Sequence, residues 1–289
     1  MTIADHLLQG DHRAVVHNIA QAAAAGTLNV KVQTGDPELV AAAEQDMLQR
    51  YAERRSGLTF RSQTLGAREL MNLAGRVVTR DVAISGQERL KGIPGGAIVT
   101  SNHFSPLENL FVRRAVSGHR LRIVSQLTNF AMGGLTGVFM RYGDTIPVSG
   151  DRHWLGRQFP EILQDALTAR QWVLIYPEQE MWFNYRKPRP LQRGAYYYAA
   201  RFGGPVVSLF VSMHDTERMV SADFNAVRYS VEVLPVLWPQ TQLDVRAASK
   251  DLQARDSLQK EAAYARAYGQ LPSPDFLPQD IAGRRHDWC

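Results

Sequence analysis

From about residue 64 to residue 235, short apolar runs rich in β-branched residues alternate with stretches of helical spacing. The runs are Val82–Ser85, Ala97–Thr100, Arg122–Ser125, Thr145–Val148, Trp172–Tyr176, Val206–Val211 and Tyr229–Val233. Strands that alternate with helical patterns predict an α/β fold, a mixed and mostly parallel sheet flanked by helices. Before this region, Leu7, Leu8, Val15, Val16 and Ile19 recur at helical spacing, and Ala22–Ala25 is a strong helix-forming run ended by Gly26. A second helix fits Asp36 to Arg55, with Asp36 as N-cap and Pro37 at the first helical position. A third fits Leu65 to Val78, and a charged helix runs from Asp251 to Tyr268 ahead of prolines 272, 274 and 278. Three segments are expected: a helical N-terminal extension over 1–60, the α/β domain over 61–250, and a C-terminal helix and tail over 251–289. The extension has no catalytic look and reads as a helical layer packed on the main domain, with a regulatory or partner-binding role as the alternative.

Composition changes this picture little, and charge changes it more. The chain is 45% hydrophobic and 21% charged, with a formal net charge of +5, which describes a globular protein with a mild attraction to anions. The basic excess is clustered. Residues 113–157 carry seven Arg against two Asp, and residues 181–201 carry Arg186, Lys187, Arg189, Arg193 and Arg201 with no acidic residue. Such clustering suits a local phosphate-bearing ligand or an anionic membrane surface. No nucleic-acid module is recognisable, so no nucleic-acid partner is expected. The lone cysteine, Cys289, excludes an intrachain disulfide and suits a reducing compartment. The uncharged stretch Ile123–Met140 contains Ser125, Gln126, Thr128 and Asn129 and three glycines, so it does not read as a span. The opening Met1-Thr2-Ile3-Ala4-Asp5-His6 lacks the basic start and apolar run of a signal peptide. A cytoplasmic protein, peripheral on the inner face of the membrane, is expected.

Two strand-to-turn junctions carry the candidate chemistry. The first is Ile98-Val-Thr-Ser-Asn102-His103-Phe-Ser105-Pro106-Leu-Glu108-Asn109. Functional residues of open α/β sheets gather at the carboxyl ends of strands, and His103 falls there. His103 and Glu108 are five apart, about 140° off-face on a regular helix. They meet only if His103 lies in the loop and Glu108 in the first helical turn, with Ser105 as N-cap and Pro106 following. A carboxylate on Nδ1 would fix the tautomer and leave Nε2 to accept a proton. The same Ser105-Pro-Leu-Glu108 run is also a capping box, and both readings stand. The second junction is Trp172-Val-Leu-Ile-Tyr176-Pro177-Glu178-Gln179-Glu180-Met181, which runs into the basic loop. No second His stands at ligand spacing from His103, so no metal site is expected.

The order of these blocks resembles the PlsC-like family of glycerol-phosphate and lysophosphatidic acid acyltransferases. That family has N-H-x-x-x-x-D after a strand, and here Asn102-His103 is followed by Glu108. It has a middle block ending in Arg, here Thr145-Ile-Pro-Val with Arg152, and F-P-E-G-T-R, here Tyr176-Pro177-Glu178-Gln179-Glu180-Met181. A basic-Gly step and a V-P-V strand follow, here Arg193-Gly194 and Gly204-Pro205-Val206-Val207. The resemblance spans roughly residues 80–235. It implies a glycerolipid acyltransferase-like fold and transfer of a fatty acyl group from acyl-CoA or acyl carrier protein, as co-substrate, to a lipid-like or phosphorylated hydroxyl acceptor, with no cofactor. His103 would be the base, oriented by Glu108, and Asn102, Arg152 and Glu178 would complete the binding site. The family's last Arg is Met181 here, a charge that Arg186 or Lys187 would supply, with Arg193 adding to the anion site. An acyl hydrolase, or a non-catalytic lipid-binding protein on the same fold, is the alternative.

Overall fold

The computed structural model describes residues 5, 8–33 and 39–285. Leu7, Cys289 and the cap expected at Asp36 and Pro37 lie outside the described residues. Seven strands form one sheet in the order β1-β7-β6-β2-β5-β3-β4. They are β1 (Ala83–Ser85), β2 (Ala97–Thr100), β3 (Leu121–Gln126), β4 (Thr145–Val148), β5 (Trp172–Leu174), β6 (Val206–Met219) and β7 (Asn225–Val233). All pairs are parallel except β6 with β7. The seven expected strands are therefore present. β6 runs eight residues beyond expectation, because its polar second half pairs with β7 as a hairpin instead of lying under helices.

Eight α-helices stand among the described residues: α1 (Arg13–Ala24), α2 (Ala41–Arg54), α3 (Leu58–Val78), α4 (Glu108–Ala115), α5 (Gly134–Tyr142), α6 (Phe159–Thr168), α7 (Gly194–Phe202) and α8 (Val245–Tyr268). α3 starts at Leu58 and runs through the expected boundary at residue 60. α8 starts six residues earlier than the charge pattern suggests, because the Asp244 carboxylate accepts from Ala247 N–H at 2.8 Å and caps it.

The central strands are buried on both faces, which is why β2 and β5 read as unbroken apolar runs. Alternation still sorts their side chains. Ala97, Val99, Trp172 and Leu174 pack toward Phe111 and Val112 of α4. Ile98 and Val173 pack toward Ile162 and Leu163 of α6 and Tyr196 of α7. Pro147, which has no N–H to donate, sits in β4, an edge strand. The N-terminal segment forms its own core with the basic loop: Val16, Ile19 and Val32 bury against Trp182, Phe183 and Tyr185. Among the described residues no helix is long and apolar enough to cross a membrane.

Candidate active site

Parallel pairing sets the site. Ile98 is in register with Val173, so β2 and β5 end side by side and their following turns meet above the carboxyl edge of the sheet. His103 leaves β2 in an irregular loop and Tyr176 leaves β5. The two rings stack with centroids 4.1 Å apart and planes 9° apart. The Tyr176 hydroxyl donates to Asn109 Oδ1 at 2.7 Å. Burial, together with the Glu108 carboxylate, pushes the Tyr176 phenol well above its ordinary range. Tyr176 is therefore a neutral platform that fixes the imidazole plane.

Glu108 divides its two oxygens. Oε1 meets His103 Nδ1 in a short hydrogen bond. Oε2 accepts from the Phe104 N–H at 2.6 Å and the Ser105 N–H at 3.0 Å. Only half of the expected capping box is present: the carboxylate that orients the histidine also accepts from the Ser105 N–H, but the Glu108 N–H goes to Ser105 O at 3.2 Å and not to its side chain. The additional methylene relative to Asp supplies the reach for both. The helix begins later than expected: α4 starts at Glu108 itself, with Ser105 Oγ accepting from Leu107 N–H at 3.2 Å in the preceding turn. Pro106 lies in that turn, not in the helix, because Ser105 to Leu107 must bend back for the carboxylate to reach the loop. The Glu108 side chain is 1% exposed and the His103 side chain 21%. Nε2 has no hydrogen-bond partner among the described residues and is the ring atom left for a substrate.

A second set of contacts holds this loop rigid. Asn102 Nδ2 donates to Val211 O at 3.0 Å and Oδ1 accepts from Val211 N–H at 2.9 Å, so the amide clasps β6. Glu178 Oε2 accepts from the His103 N–H at 3.1 Å, and Arg189 closes on Glu178 at 2.9 Å with both side chains almost fully buried. Arg189 also donates to His103 O at 3.3 Å and Leu28 O at 3.1 Å, and it lies over the Trp182 ring at 4.7 Å. The N-terminal segment completes the brace: Asn29 Nδ2 donates to Glu178 O at 3.0 Å and Pro190 O at 2.8 Å. Gln179 takes φ +66°, the left-handed conformation that the resembled motif gives to glycine. The turn shape is thus kept without the glycine.

The residues expected to bind substrate divide into two groups. Asn102 and Glu178 are buried and hydrogen-bonded to β6 and to the loop itself. Arg186 and Lys187 are likewise committed elsewhere. Arg186 pairs with Asp215 and donates to Gln279 O at 2.8 Å. Lys187 is buried against Asp280 at 2.6 Å and Asp275 O at 2.7 Å. They anchor the returning C-terminal segment. Arg152 and Arg193 are exposed and make no ion pair among the described residues. Arg152 follows β4, three strands from β2 and so about 14 Å across the same carboxyl edge. Tyr176, Arg189 and Asn29 were not legible as site residues. The only signal was the place of Tyr176 in the second junction and of Arg189 in the basic loop.

A mostly parallel sheet carries a carboxylate-oriented histidine at its carboxyl edge, a geometry able to move a proton. Residues 81–212 match the acyltransferase family. No curated protein matches the sequence significantly. Among solved structures, PlsC from Thermotoga maritima, a 1-acyl-sn-glycerophosphate (LPA) acyltransferase, is similar over 90% of this chain and 98% of its own, at 13% identity and a TM-score of 0.51. That likeness is one of fold. The protein is an O-acyltransferase.

Proposed function

We propose that the protein moves a fatty acyl group from a thioester, acyl-CoA or acyl carrier protein, to a hydroxyl of a glycerol-phosphate-like or lysophospholipid acceptor. The observation that carries this reading is His103, with Nδ1 on a buried carboxylate and Nε2 unpartnered at the carboxyl edge. Nε2 takes the proton of the acceptor hydroxyl as its oxygen attacks the thioester carbonyl. Glu108 stabilises the imidazolium that forms. The tetrahedral adduct collapses with cleavage of the C–S bond, and the thiolate takes the proton back from Nε2. The ester and the free thiol leave, and His103 is neutral again. Arg152 and Arg193, the exposed cations of the expected set, serve the acceptor phosphate.

A lysophospholipid acceptor lies in a bilayer, and the surface suits an anionic one. Along α3, Leu58, Leu65, Leu70, Leu73 and Val77 are 50–83% exposed, and Leu135 of the adjacent α5 is 75% exposed. Arg61 and Arg76 are exposed on the same helix. Co-sedimentation with vesicles that rises with anionic lipid content is expected, and indifference to it would remove the membrane from the reading.

The direct test is thiol release from palmitoyl-CoA with and without lysophosphatidic acid or glycerol 3-phosphate, for wild type and His103→Ala. Release that needs both acceptor and His103 supports the transferase. Release without acceptor makes the protein a hydrolase on the same site. Release by the wild type that His103→Ala leaves intact rules out His103 as the base.

A further inference from the structure

A cavity of about 700 Å³ lies at the opposite end of the sheet from His103. Its walls come from the amino-terminal ends of β3 and β4, from α6, and from α2 and α3. Arg55, Arg61, Arg68, Arg120, Arg122 and Arg141 all line it, and the carboxylates among its lining residues are Asp144 and Asp165. Those two do not neutralise the six. Arg55 pairs with Asp165 at 3.2 Å, while Arg68 and Arg120 share Asp144 at 3.4 and 2.6 Å. Arg122 meets only neutral acceptors: Tyr51 Oη at 3.1 Å, Asp144 O at 3.2 Å and Gln171 Oε1 at 3.4 Å. Arg141 donates to the Phe130 and Met132 carbonyls, and Arg61 has no ion-pair partner among the described residues. A second, independent feature is Thr64. It lines the same cavity, is 5% exposed, and its hydroxyl has no hydrogen-bond partner. A buried hydroxyl without a partner is costly, and a ligand in the cavity would satisfy it.

The geometry points to a second ligand site in this cavity, one that takes a phosphate-bearing molecule and is separate from the acyl-transfer centre. With Glu69 also 3.7 Å from Arg68, three positive charges are left over, which calls for a multiply charged anion, and guanidinium forks match phosphate oxygens. The volume is in the range of small-molecule sites. Arg122 is level with Val173 and Ile98 across the sheet, near the amino ends of the strands, whereas His103 stands in the loop beyond the carboxyl end of β2. A phosphate held here lies at the amino edge of the sheet, on the other side from the acceptor at His103. The site therefore holds an effector or an anchoring headgroup, and its existence does not depend on the reaction assigned to His103.

Calorimetric titration of the full chain with inorganic pyrophosphate, and flotation with phosphatidic-acid against phosphatidylcholine vesicles, test the proposal and separate a free phosphate ligand from a lipid headgroup. Three variants decide it. Arg61→Glu removes an exposed cation without breaking an ion pair. Thr64→Val removes the unpartnered hydroxyl at nearly constant shape. His103→Ala leaves the cavity untouched. The expected result is saturable binding of one probe, weakened about tenfold or more by Arg61→Glu and by Thr64→Val and unchanged in His103→Ala. Thr64→Val should melt at or above the wild-type temperature, so lost binding cannot be lost fold. Pyrophosphate binding identifies a soluble ligand. Phosphatidic-acid binding that Thr64→Val weakens identifies a headgroup. Binding of neither probe, or binding indifferent to both substitutions, overturns the proposal and makes the arginine cluster structural only.

Discussion

Glu108→Gln separates the two tasks that one carboxylate performs. Gln has the same shape, and its carbonyl oxygen can still accept from the Phe104 and Ser105 N–H groups, which stand 2.6 and 3.0 Å from Oε2. The other arm becomes an amide NH2 facing His103 Nδ1, where a carboxylate oxygen was. An NH2 donates, so Nδ1 must accept, and the ring proton moves to Nε2. The lone pair that would take the acceptor proton is then gone, and no negative charge remains to stabilise an imidazolium. Enforcing the wrong tautomer in this way lowers turnover about 10⁴-fold, which corresponds to about 5 kcal/mol of barrier. The fold loses little, because the hydrogen bonds to the loop survive without their charge, at a cost of about 1 kcal/mol. The assay is acceptor-dependent thiol release paired with urea unfolding. Because the two residues act as a unit, Glu108→Gln in a His103→Ala background should cost almost nothing further. A well-folded Glu108→Gln protein within tenfold of wild-type turnover would refute the tautomer argument and leave Glu108 a cap alone.

Arg189→Ala leaves the Glu178 carboxylate buried and unpaired, with an expected loss of about 3–5 kcal/mol by urea denaturation. Arg189→Lys should recover little of it, since an ammonium lacks the fork that reaches Glu178, Leu28 O and His103 O together. Gln179→Gly relaxes the φ of +66° and should raise stability by up to about 1 kcal/mol, with activity kept. Beneath the site, Lys260 and Asp256 form a fully buried pair at 2.7 Å that also holds Thr100 of β2. Lys260→Met strands the carboxylate and should cost about 3–5 kcal/mol, while Asp256→Leu with Lys260→Met should cost far less. Burial pushes the Asp256 carboxyl up, but Lys260 and the hydrogen bonds from Lys260, Ser208 and Tyr196 outweigh it and hold it below its ordinary 3.8. Its contribution is complete above pH 3.8 and is lost as pH falls through the lower folded value. Acid unfolding curves should show that loss in the wild type and lack it in the double variant.

Local pattern determined much of this protein. The β-branched runs placed all seven strands, because burial on one or both faces writes itself into residue choice. The spacing of His103 and Glu108 was compatible with their meeting, because a loop-to-helix step brings residues five apart together, and the return of Glu108 to the Ser105 N–H was visible beside it. Tertiary structure decided what the charges do. Asn102, Glu178, Arg186 and Lys187 looked like ligand-binding groups, yet their partners are Val211, Arg189, Asp215 and Asp280, most of them distant in sequence. Nothing in the order of residues announces such pairs, since ion pairing depends on which surfaces the sheet brings together. The same holds for Tyr176 beneath His103, which follows from β5 pairing with β2. It holds also for the arginine-lined cavity, whose members come from segments as far apart as residues 55 and 141. Their convergence is a property of the folded sheet, and no periodicity in the chain records it.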